Sequence, residues 1–201
     1  MKKLLALLLI FVSLLKADFT KIEKFLPNSS LVQFAGNLGF ISTGFGYHFL
    51  NQKVETCFYY GYLPKSMAGT DIHQFTLKSS YTFMKRRLDK QWNIYFLNSI
   101  SVIYSRLKNT YTIWPEYYPD GYYFANSIHT QINFGFQIKK RKIQDYIDRL
   151  SYVVEFGLLD MQIYYMIKSE KPNMFDYLNC SLGLKFELTD SPFRKKMFKR
   201  E

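Results

Sequence analysis

The sequence has few of the features that define disulfide-rich, metal-binding or helical membrane proteins. Only two of its 201 residues are cysteines, which excludes a small secreted fold held together by several disulfides. No apolar run after residue 15 approaches the length that a transmembrane helix needs. The sequence contains no cluster of Cys and His, no phosphate-binding loop and no dinucleotide fingerprint, so we predict no cofactor and no metal site.

Acidic residues are also scarce, since 16 Asp and Glu stand against 27 Lys and Arg, for a formal charge of +11. Basic chains often bind nucleic acid. Here, however, the basic residues are concentrated in the short segments 85–87, 139–142 and 194–200, which have the character of turns and a tail. We therefore predict no nucleic-acid partner and expect these segments to lie in solvent or near anionic lipid head groups.

Residues 1–17 have the three parts of a secretory signal peptide. Lys2 and Lys3 precede an apolar stretch over residues 4–15, and Ala17 is a small residue before the predicted cleavage point. This apolar stretch is too short to span a bilayer. We predict an exported protein that begins with a short periplasmic segment over residues 18–28.

Aromatic residues are far more abundant than a soluble core requires, with 17 Tyr, 19 Phe and 2 Trp. Hydrophobic residues make up 48% of the chain, yet the mean hydropathy is only −0.17. Apolar and polar residues must therefore be interleaved along the chain. Aromatic girdles at two membrane interfaces are one physical use of such an excess.

The dominant period after residue 31 is two, which is typical of β-strands with two different faces. In segment 122–139, one face carries Phe124, Ile128, Ile132, Phe134, Phe136 and Ile138. The other face carries Tyr123, Ser127, His129, Gln131, Asn133, Gly135 and Gln137. Segment 177–188 repeats the pattern, with Leu182, Leu184 and Phe186 opposite Ser181 and Lys185.

Several such segments predict an all-β fold, an antiparallel up-and-down transmembrane β-barrel over residues 29–188, followed by a basic periplasmic tail over 189–201. We expect eight strands, with a turn at residues 37–39. One bent strand over 31–49, which would give seven strands, is the alternative. Segment 149–168 changes phase near Asp160, which suggests a bulge in a strand. The alternation places Cys57 and Cys180 on opposite faces, so a disulfide is improbable.

Charged residues recur on the predicted inner face. Because an unpaired charge in a narrow interior is costly, these side chains are expected to form a neutralising network. A path for ions or solutes is the alternative interpretation, although eight strands leave an interior that side chains nearly fill. The expected members of the network are Glu55, Lys78, Glu155, Lys185 and Glu187.

The last predicted strand has the spacing polar-x-Gly-x-x-aromatic-x-hydrophobic, formed by Ser181, Gly183, Phe186 and Leu188. This spacing is similar to the signal that the outer-membrane barrel assembly machinery reads, although 13 further residues follow it here. The chain as a whole resembles small eight-stranded outer-membrane barrels of the OmpA-, OmpX- and PagL-like groups. The resemblance implies an outer-membrane location, insertion by that machinery, contact with outer-membrane lipids and a monomeric state.

Barrels of the PagL-like group are lipid A deacylases that use a Ser, a His and an acid, which raises the question of catalysis. Ser127 and His129 lie two residues apart and share a face, and Glu155 on the next strand could orient His129 if the register allows. The PagL-like group has a characteristic His-x-Ser-Asn run. That run is absent here, and Ser127 precedes His129. We expect these residues to be polar groups of the interior, with the catalytic interpretation as the lesser alternative.

The loop before residue 124 is rich in aromatic residues and suits either the lipid interface or a binding surface for sugar, lipid or protein. Its candidates are Trp114, Tyr117, Tyr118, Tyr122 and Tyr123. We predict an outer-membrane barrel of structural, lipid-interacting or adhesive type without catalysis. The alternatives are a lipid A deacylase-like enzyme and a soluble periplasmic lipocalin-like carrier, which would bury its apolar face and expose its polar one.

Overall fold

The computed structural model describes residues 26–107, 110–111, 127–140, 150–170 and 173–188. In this part of the chain eight antiparallel strands form a closed barrel in sequence order. The strands are β1 Ser29–Ala35, β2 Ile41–Phe49, β3 Val54–Leu63, β4 Ile72–Arg87, β5 Trp92–Arg106, β6 Ile128–Lys140, β7 Leu150–Leu159 and β8 Asn179–Glu187. The helices are α1 Lys65–Ala68, α2 Asp160–Lys168 and α3 Met174–Tyr177.

The barrel closes because β1 pairs with β2 on one side and with β8 on the other. Ser29 lies opposite Gly46 in β2 and opposite Glu187 in β8. The connections after β2 and β4 lie at one end, which we call the turn end. The connections after β1, β3 and β7 lie at the opposite end, which we call the loop end and which carries all three helices. No helix in the described residues is long and apolar enough to cross a membrane.

Apolar side chains face outward and polar side chains face the interior. On β5 and β6, Ile100 is 57% exposed and Ile132 60%, whereas the neighbouring Ser101 is 1% exposed and Gln131 2%. This arrangement confirms the fold class and the face assignment predicted from the period of two. It is the reverse of what the soluble carrier would require.

The turn at the loop end of β1 shows why residues 29–49 form two strands. Gly36 has φ 75°, Asn37 has φ 67° and Gly39 has φ 114°, a left-handed run that reverses the chain. The alternative of one bent strand is therefore wrong. This turn also places Leu38 inside the barrel, where its side chain is 1% exposed.

Leu38 packs into a small apolar plug in the middle of the interior. The plug consists of Leu31, Leu38, Cys57, Tyr59 and Ile103, with Leu159 packed against it. Gly61 makes room for the turn, because a Cβ on this residue would lie 1.6 Å from the carbonyl oxygen of Leu38. Cys57 is buried and Cys180 is exposed, and both are free thiols, as their opposite faces predicted.

The expected bulge near Asp160 is wrong, because the chain leaves the strand there and forms α2. Gln162 Oε1 accepts the Leu159 backbone N–H at 2.8 Å, and Asp160 Oδ1 accepts that of Met161 at 2.7 Å. These side chains satisfy backbone donors at the helix N-terminus. A register irregularity does occur elsewhere, between Thr82 and Met84 of β4.

The basic segment 85–87, expected in a turn, instead belongs to the last part of β4, which runs to Arg87. The connection to β5 is therefore only four residues long. The predicted signal peptide, most of the segment 18–28 and the tail 189–201 lie outside the described residues.

Candidate functional site

Among the described residues, an ion pair that we call the central pair lies at the centre of the interior. Lys78 of β4 is bonded to Glu155 of β7 across the lumen, and the two residues are 3% and 2% exposed. Ser99 Oγ donates to the other carboxylate oxygen of Glu155 at 3.2 Å. Lys78 Nζ also reaches Gln33 Oε1 at 3.4 Å and lies 5.5 Å from the centre of the Tyr59 ring. Polar and aromatic groups from three further strands, β1, β3 and β5, therefore surround the pair.

A second group of charges, which we call the turn-end cluster, consists of His48, Glu55, Lys139, Lys185 and Glu187. Lys185 Nζ lies 2.8 Å from Glu55 Oε2 and 3.3 Å from Glu187 Oε1. Lys139 Nζ lies 3.2 Å from the same oxygen of Glu187. His48 Nε2 is 3.1 Å from Glu55 Oε1, which also accepts a hydrogen bond from Ser29 at 2.6 Å. Each charged group of the turn-end cluster therefore either has more than one partner or shares its partner with another group of the cluster.

Across these two groups the three ammonium groups of Lys78, Lys139 and Lys185 face three carboxylates. Balanced pairing of this kind offsets part of the large cost of moving charge out of water. Each of the five charges expected in the network lies inside, in contact with a charge of opposite sign. Lys139 and His48 were missed as members, although Lys139 continues the inward phase of Gln137.

The interior has a cavity at each end. The cavity at the turn end is about 70 Å³ and is bordered by the turn-end cluster. The cavity at the loop end is about 410 Å³. Between them lie the apolar plug and the central pair, so the described residues leave the middle of the barrel filled with side chains.

The loop-end cavity, which we call the mouth, is lined by uncharged polar groups, apolar side chains and one histidine. Its polar side chains include those of Asn37, Gln74, His129 and Asn179, and Ile103 and Leu159 form part of the apolar lining. Gln74 Oε1 is buried without a hydrogen-bond partner among the described residues. The mouth is therefore a polar recess of a size typical of small-molecule sites.

The structure does not bring Ser127, His129 and Glu155 together. His129 Nδ1 lies 3.1 Å from Asp160 Oδ1, whereas Glu155 is held by the central pair. Glu155 lies opposite Gly135, six residues along β6 from His129, which is about 20 Å. The register therefore does not allow Glu155 to orient His129, and that part of the prediction is wrong. Ser127 is fully buried.

Asp160 is the acidic partner that sequence reasoning missed. It follows the last residue of β7, and its Oδ2 accepts the Thr130 backbone N–H at 2.8 Å, beyond the point where β6 and β7 stop pairing. In the sequence, the feature that marked Asp160 was the change in phase of the apolar–polar alternation. That change is equally compatible with a bulge. The helix and its carboxylate cover the free edge of β6.

At the loop-end rim, Asp71 and His73 bond to tyrosines. Tyr62 donates to Asp71 at 2.6 Å, the Lys65 backbone N–H donates to the same oxygen at 3.0 Å, and Tyr60 Oη lies 2.8 Å from His73 Nδ1. The hydrogen bond from Tyr62 is the main cause of a lowered pKa of Asp71, followed by that from Lys65. No group of three potential metal ligands occurs among the residues that the structure covers.

The aromatic loop residues Trp114, Tyr117, Tyr118, Tyr122 and Tyr123 lie outside the described residues. Their role in binding stays a prediction.

Comparison with protein-family profiles and with curated proteins finds no match. Among solved structures, the chain is similar to the N-terminal β-barrel domain of OprF from Pseudomonas aeruginosa, with 16% sequence identity and a TM-score of 0.42. The similarity covers 80% of this chain and 97% of that chain. The fold follows from the strand pairing itself: the chain is a closed eight-stranded antiparallel β-barrel, the architecture that its resemblance to small outer-membrane barrels implies.

Proposed function

We propose that the chain is an integral outer-membrane β-barrel protein of structural, lipid-interacting or adhesive type. The observation that carries the proposal is a continuous apolar outer face. Every strand exposes at least one large hydrophobic side chain near its middle: Val32, Phe45, Phe58, Leu77, Ile100, Ile132, Phe156 and Leu184. Soluble monomers rarely expose a connected apolar surface of this extent.

A lipid bilayer around the barrel explains why its outer face is apolar and its inner face is polar. Lipid covers the outer face at no hydration cost, and the closed ladder satisfies the backbone groups of every strand. The charged and amide side chains are kept away from lipid inside the barrel, where they bond to one another. Eight strands with this alternation match the known design of transmembrane barrels.

The filled interior supports a role that does not depend on conduction. The central pair and the plug occupy the middle of the lumen, so a wide solute path would require these groups to move apart. The outer face and the loop end are then the surfaces available for function. We do not propose the deacylase alternative, because Ser127 is buried and Glu155 belongs to the central pair.

Membrane fractionation with gel migration tests the proposal. We expect the protein in the outer-membrane fraction, released only by detergent, and we expect the unheated sample to migrate faster than the heated one. A protein that stays in the soluble fraction without detergent would contradict the proposal. Lipid A from cells with and without Ser127→Ala provides a separate check, and a changed acylation pattern would restore the enzymatic alternative.

A further inference from the structure

The mouth at the loop end combines an apolar floor with amide side chains. Ile103 belongs to the apolar plug and Leu159 packs against it, so these two side chains form the floor. Asn37 of the first turn and Gln74 of β4 also line the space. A cavity of about 410 Å³ with an apolar lining and a few polar groups has the size and composition of a small-molecule site.

Buried polar atoms without a partner are concentrated around the mouth. Among the described residues, five buried side-chain atoms have no hydrogen-bond partner, and four of them lie in the loop-end half of the interior. Two of the four, Asn37 Nδ2 and Gln74 Oε1, belong to residues that line the mouth. The fifth, Ser151 Oγ, lies near the turn end, where Ser151 pairs with Lys185.

The other two unpaired atoms lie directly below the lining. Thr76 follows Gln74 on the inner face of β4, is 1% exposed and lies opposite Ile103. Gln131 is 2% exposed, and its Nε2 donates to the carbonyl oxygen of Gly36 at 3.3 Å, which leaves its Oε1 to accept. Because buried polar groups without a partner are costly, an occupant that pairs with them is favoured.

The types of the unpaired atoms define the chemistry of that occupant. Three of the four are oxygen atoms that can accept a hydrogen bond, and one is an amide nitrogen that donates. A hydroxyl group can both donate and accept, so a molecule with several hydroxyl groups matches the whole set. Water also pairs with these atoms, but only a molecule with C–H faces gains from covering the apolar floor.

The charge of the lining indicates a neutral occupant. None of the described residues that line the mouth is Lys, Arg, Asp or Glu. His129 does line it, but its Nδ1 lies 3.1 Å from Asp160 Oδ1, and the same carboxylate accepts the Thr130 backbone N–H at 2.8 Å. A charged ligand would therefore lose its hydration without gaining an opposite charge.

We propose that the mouth binds a neutral sugar of monosaccharide size. Its hydroxyl groups pair with the side chains of Asn37, Gln74 and Gln131, and its C–H face packs against Ile103 and Leu159. This inference goes beyond the proposed function and needs only the folded barrel. A mouth that binds no sugar therefore leaves the membrane location standing, and a different location would leave the mouth unchanged.

Methyl NMR of the full refolded chain tests the proposal, in phosphocholine detergent, which has no sugar head group. The methyl signals of Ile103 and Leu159 report on the mouth, and those of Leu97, which borders the turn-end cavity, are the control. Glucose is the neutral probe, and glucuronate and glucosamine are its charged counterparts. Cyclohexanol is a ring of similar size with a single hydroxyl group.

We expect glucose to shift the signals of Ile103 and Leu159 saturably in the millimolar range and to leave those of Leu97 unchanged. Glucuronate and glucosamine should bind about ten-fold more weakly because they must be desolvated, and cyclohexanol about ten-fold more weakly because it leaves amides unpaired. No saturable shift with glucose would mean that the mouth holds water only, and would overturn the proposal. Equal or tighter binding of cyclohexanol or of a charged sugar would overturn it as well.

Variants locate the binding in the mouth. Gln74→Leu removes an unpaired acceptor, together with the hydrogen bond to Ser105, and should weaken glucose binding about ten-fold. Asn37→Gly removes the unpaired donor at a position with φ 67°, which glycine adopts readily, and should weaken binding similarly. It is the second test should Gln74→Leu fail to fold. Gln137→Leu, the same change beside the turn-end cavity, is the matched control and should bind glucose normally. Equal glucose affinity in Asn37→Gly and Gln137→Leu overturns the proposal.

Discussion

The two charged groups of the interior differ in how many partners each charge has. In the central pair, Glu155 is the one carboxylate among the described residues that contacts Lys78, deep in the lumen. In the turn-end cluster, Lys185 contacts both Glu55 and Glu187, and Glu187 also contacts Lys139. The charges of both groups are neutralised by ion pairs. Only in the turn-end cluster does a charged group contact more than one group of opposite charge.

This difference teaches where the barrel tolerates change. Removing one member of an isolated buried pair leaves a charge without compensation, whereas a cluster can re-pair. The loop-end half of the interior offers a third case, because its mouth holds amides and a histidine but no buried lysine among the described residues. Substitutions in the central pair and in the turn-end cluster make the comparison measurable.

The largest effect is expected from Glu155→Gln. Loss of the carboxylate leaves the Lys78 ammonium buried without an opposite charge, which should lower the free energy of unfolding by about 3–5 kcal/mol. Urea unfolding of the refolded barrel in detergent or lipid vesicles measures it.

Ser99→Ala is the control for Glu155→Gln, because it removes a hydrogen bond to the same carboxylate, and one accepted from Asn133, without removing a charge, and should cost about 1–2 kcal/mol. The double variant Lys78→Met with Glu155→Leu should recover most of the stability. Equal losses for Glu155→Gln and Ser99→Ala would show that Lys78 is already compensated in another way.

The next effect is expected in the plug. Gly61→Ala places a methyl group against the Leu38 carbonyl and forces the first turn outward, with a cost of about 1–3 kcal/mol. The same unfolding assay measures it. Gly69→Ala is a poor control because Gly69 has φ 74°, so Gly183→Ala, whose added Cβ meets ordinary contacts near 3.5 Å, serves instead. Similar losses for both glycines would contradict the role of the plug.

A smaller effect is expected from Glu55→Gln in the turn-end cluster. Lys185 keeps Glu187 at 3.3 Å, so the loss should be about 1–2 kcal/mol, the value of hydrogen bonds to charged groups rather than of an uncompensated charge. Comparing this loss with that of Glu155→Gln under identical conditions tests the distinction directly. If Glu55→Gln is the more destabilising of the two, the cluster has no spare partners.

The sequence predicted which residues face inward, but not which of them meet. Lys78 and Glu155 were assigned to the interior by their phase, since alternation alone decides the face of a strand. Their contact crosses the lumen between β4 and β7, 77 positions apart, and depends on how the barrel closes. Closure sets the tilt and stagger of all strands together, which no local pattern reveals.

The misses have a common physical cause, because they lie where a strand ends. Leu38 lies in a turn that the sequence predicted. The inward direction of its side chain was not predicted, because it depends on packing in a cluster that includes Tyr59. The alternation of apolar and polar residues changes phase at Asp160 because a helix begins there. Such a phase change does not distinguish a helix from a bulge. Strand ends are decided by tertiary contacts.

The smallest effect is expected at Asp71, a solvent-exposed carboxylate that serves as the contrast to the buried ones. Tyr62 donates to it and is the main cause of the lowered pKa, so the native state favours the ionised form. The resulting stabilisation is present above the ordinary pKa of 3.8 and is lost as the pH falls through the lower native value. Tyr62→Phe should raise the pKa of Asp71 towards 3.8, as followed by the carboxyl ¹³C shift of Asp71 in a pH titration.

Tyr60→Phe is the matched control, because its hydroxyl bonds to His73 rather than to Asp71. It should leave the titration of Asp71 unchanged. Lys65 still donates its backbone N–H in Tyr62→Phe, so the pKa should return only part of the way. If the pKa of Asp71 is unchanged in Tyr62→Phe, the hydrogen bond from the Lys65 backbone N–H alone lowers it. The side-chain partner of this exposed carboxylate would then contribute nothing to its pKa.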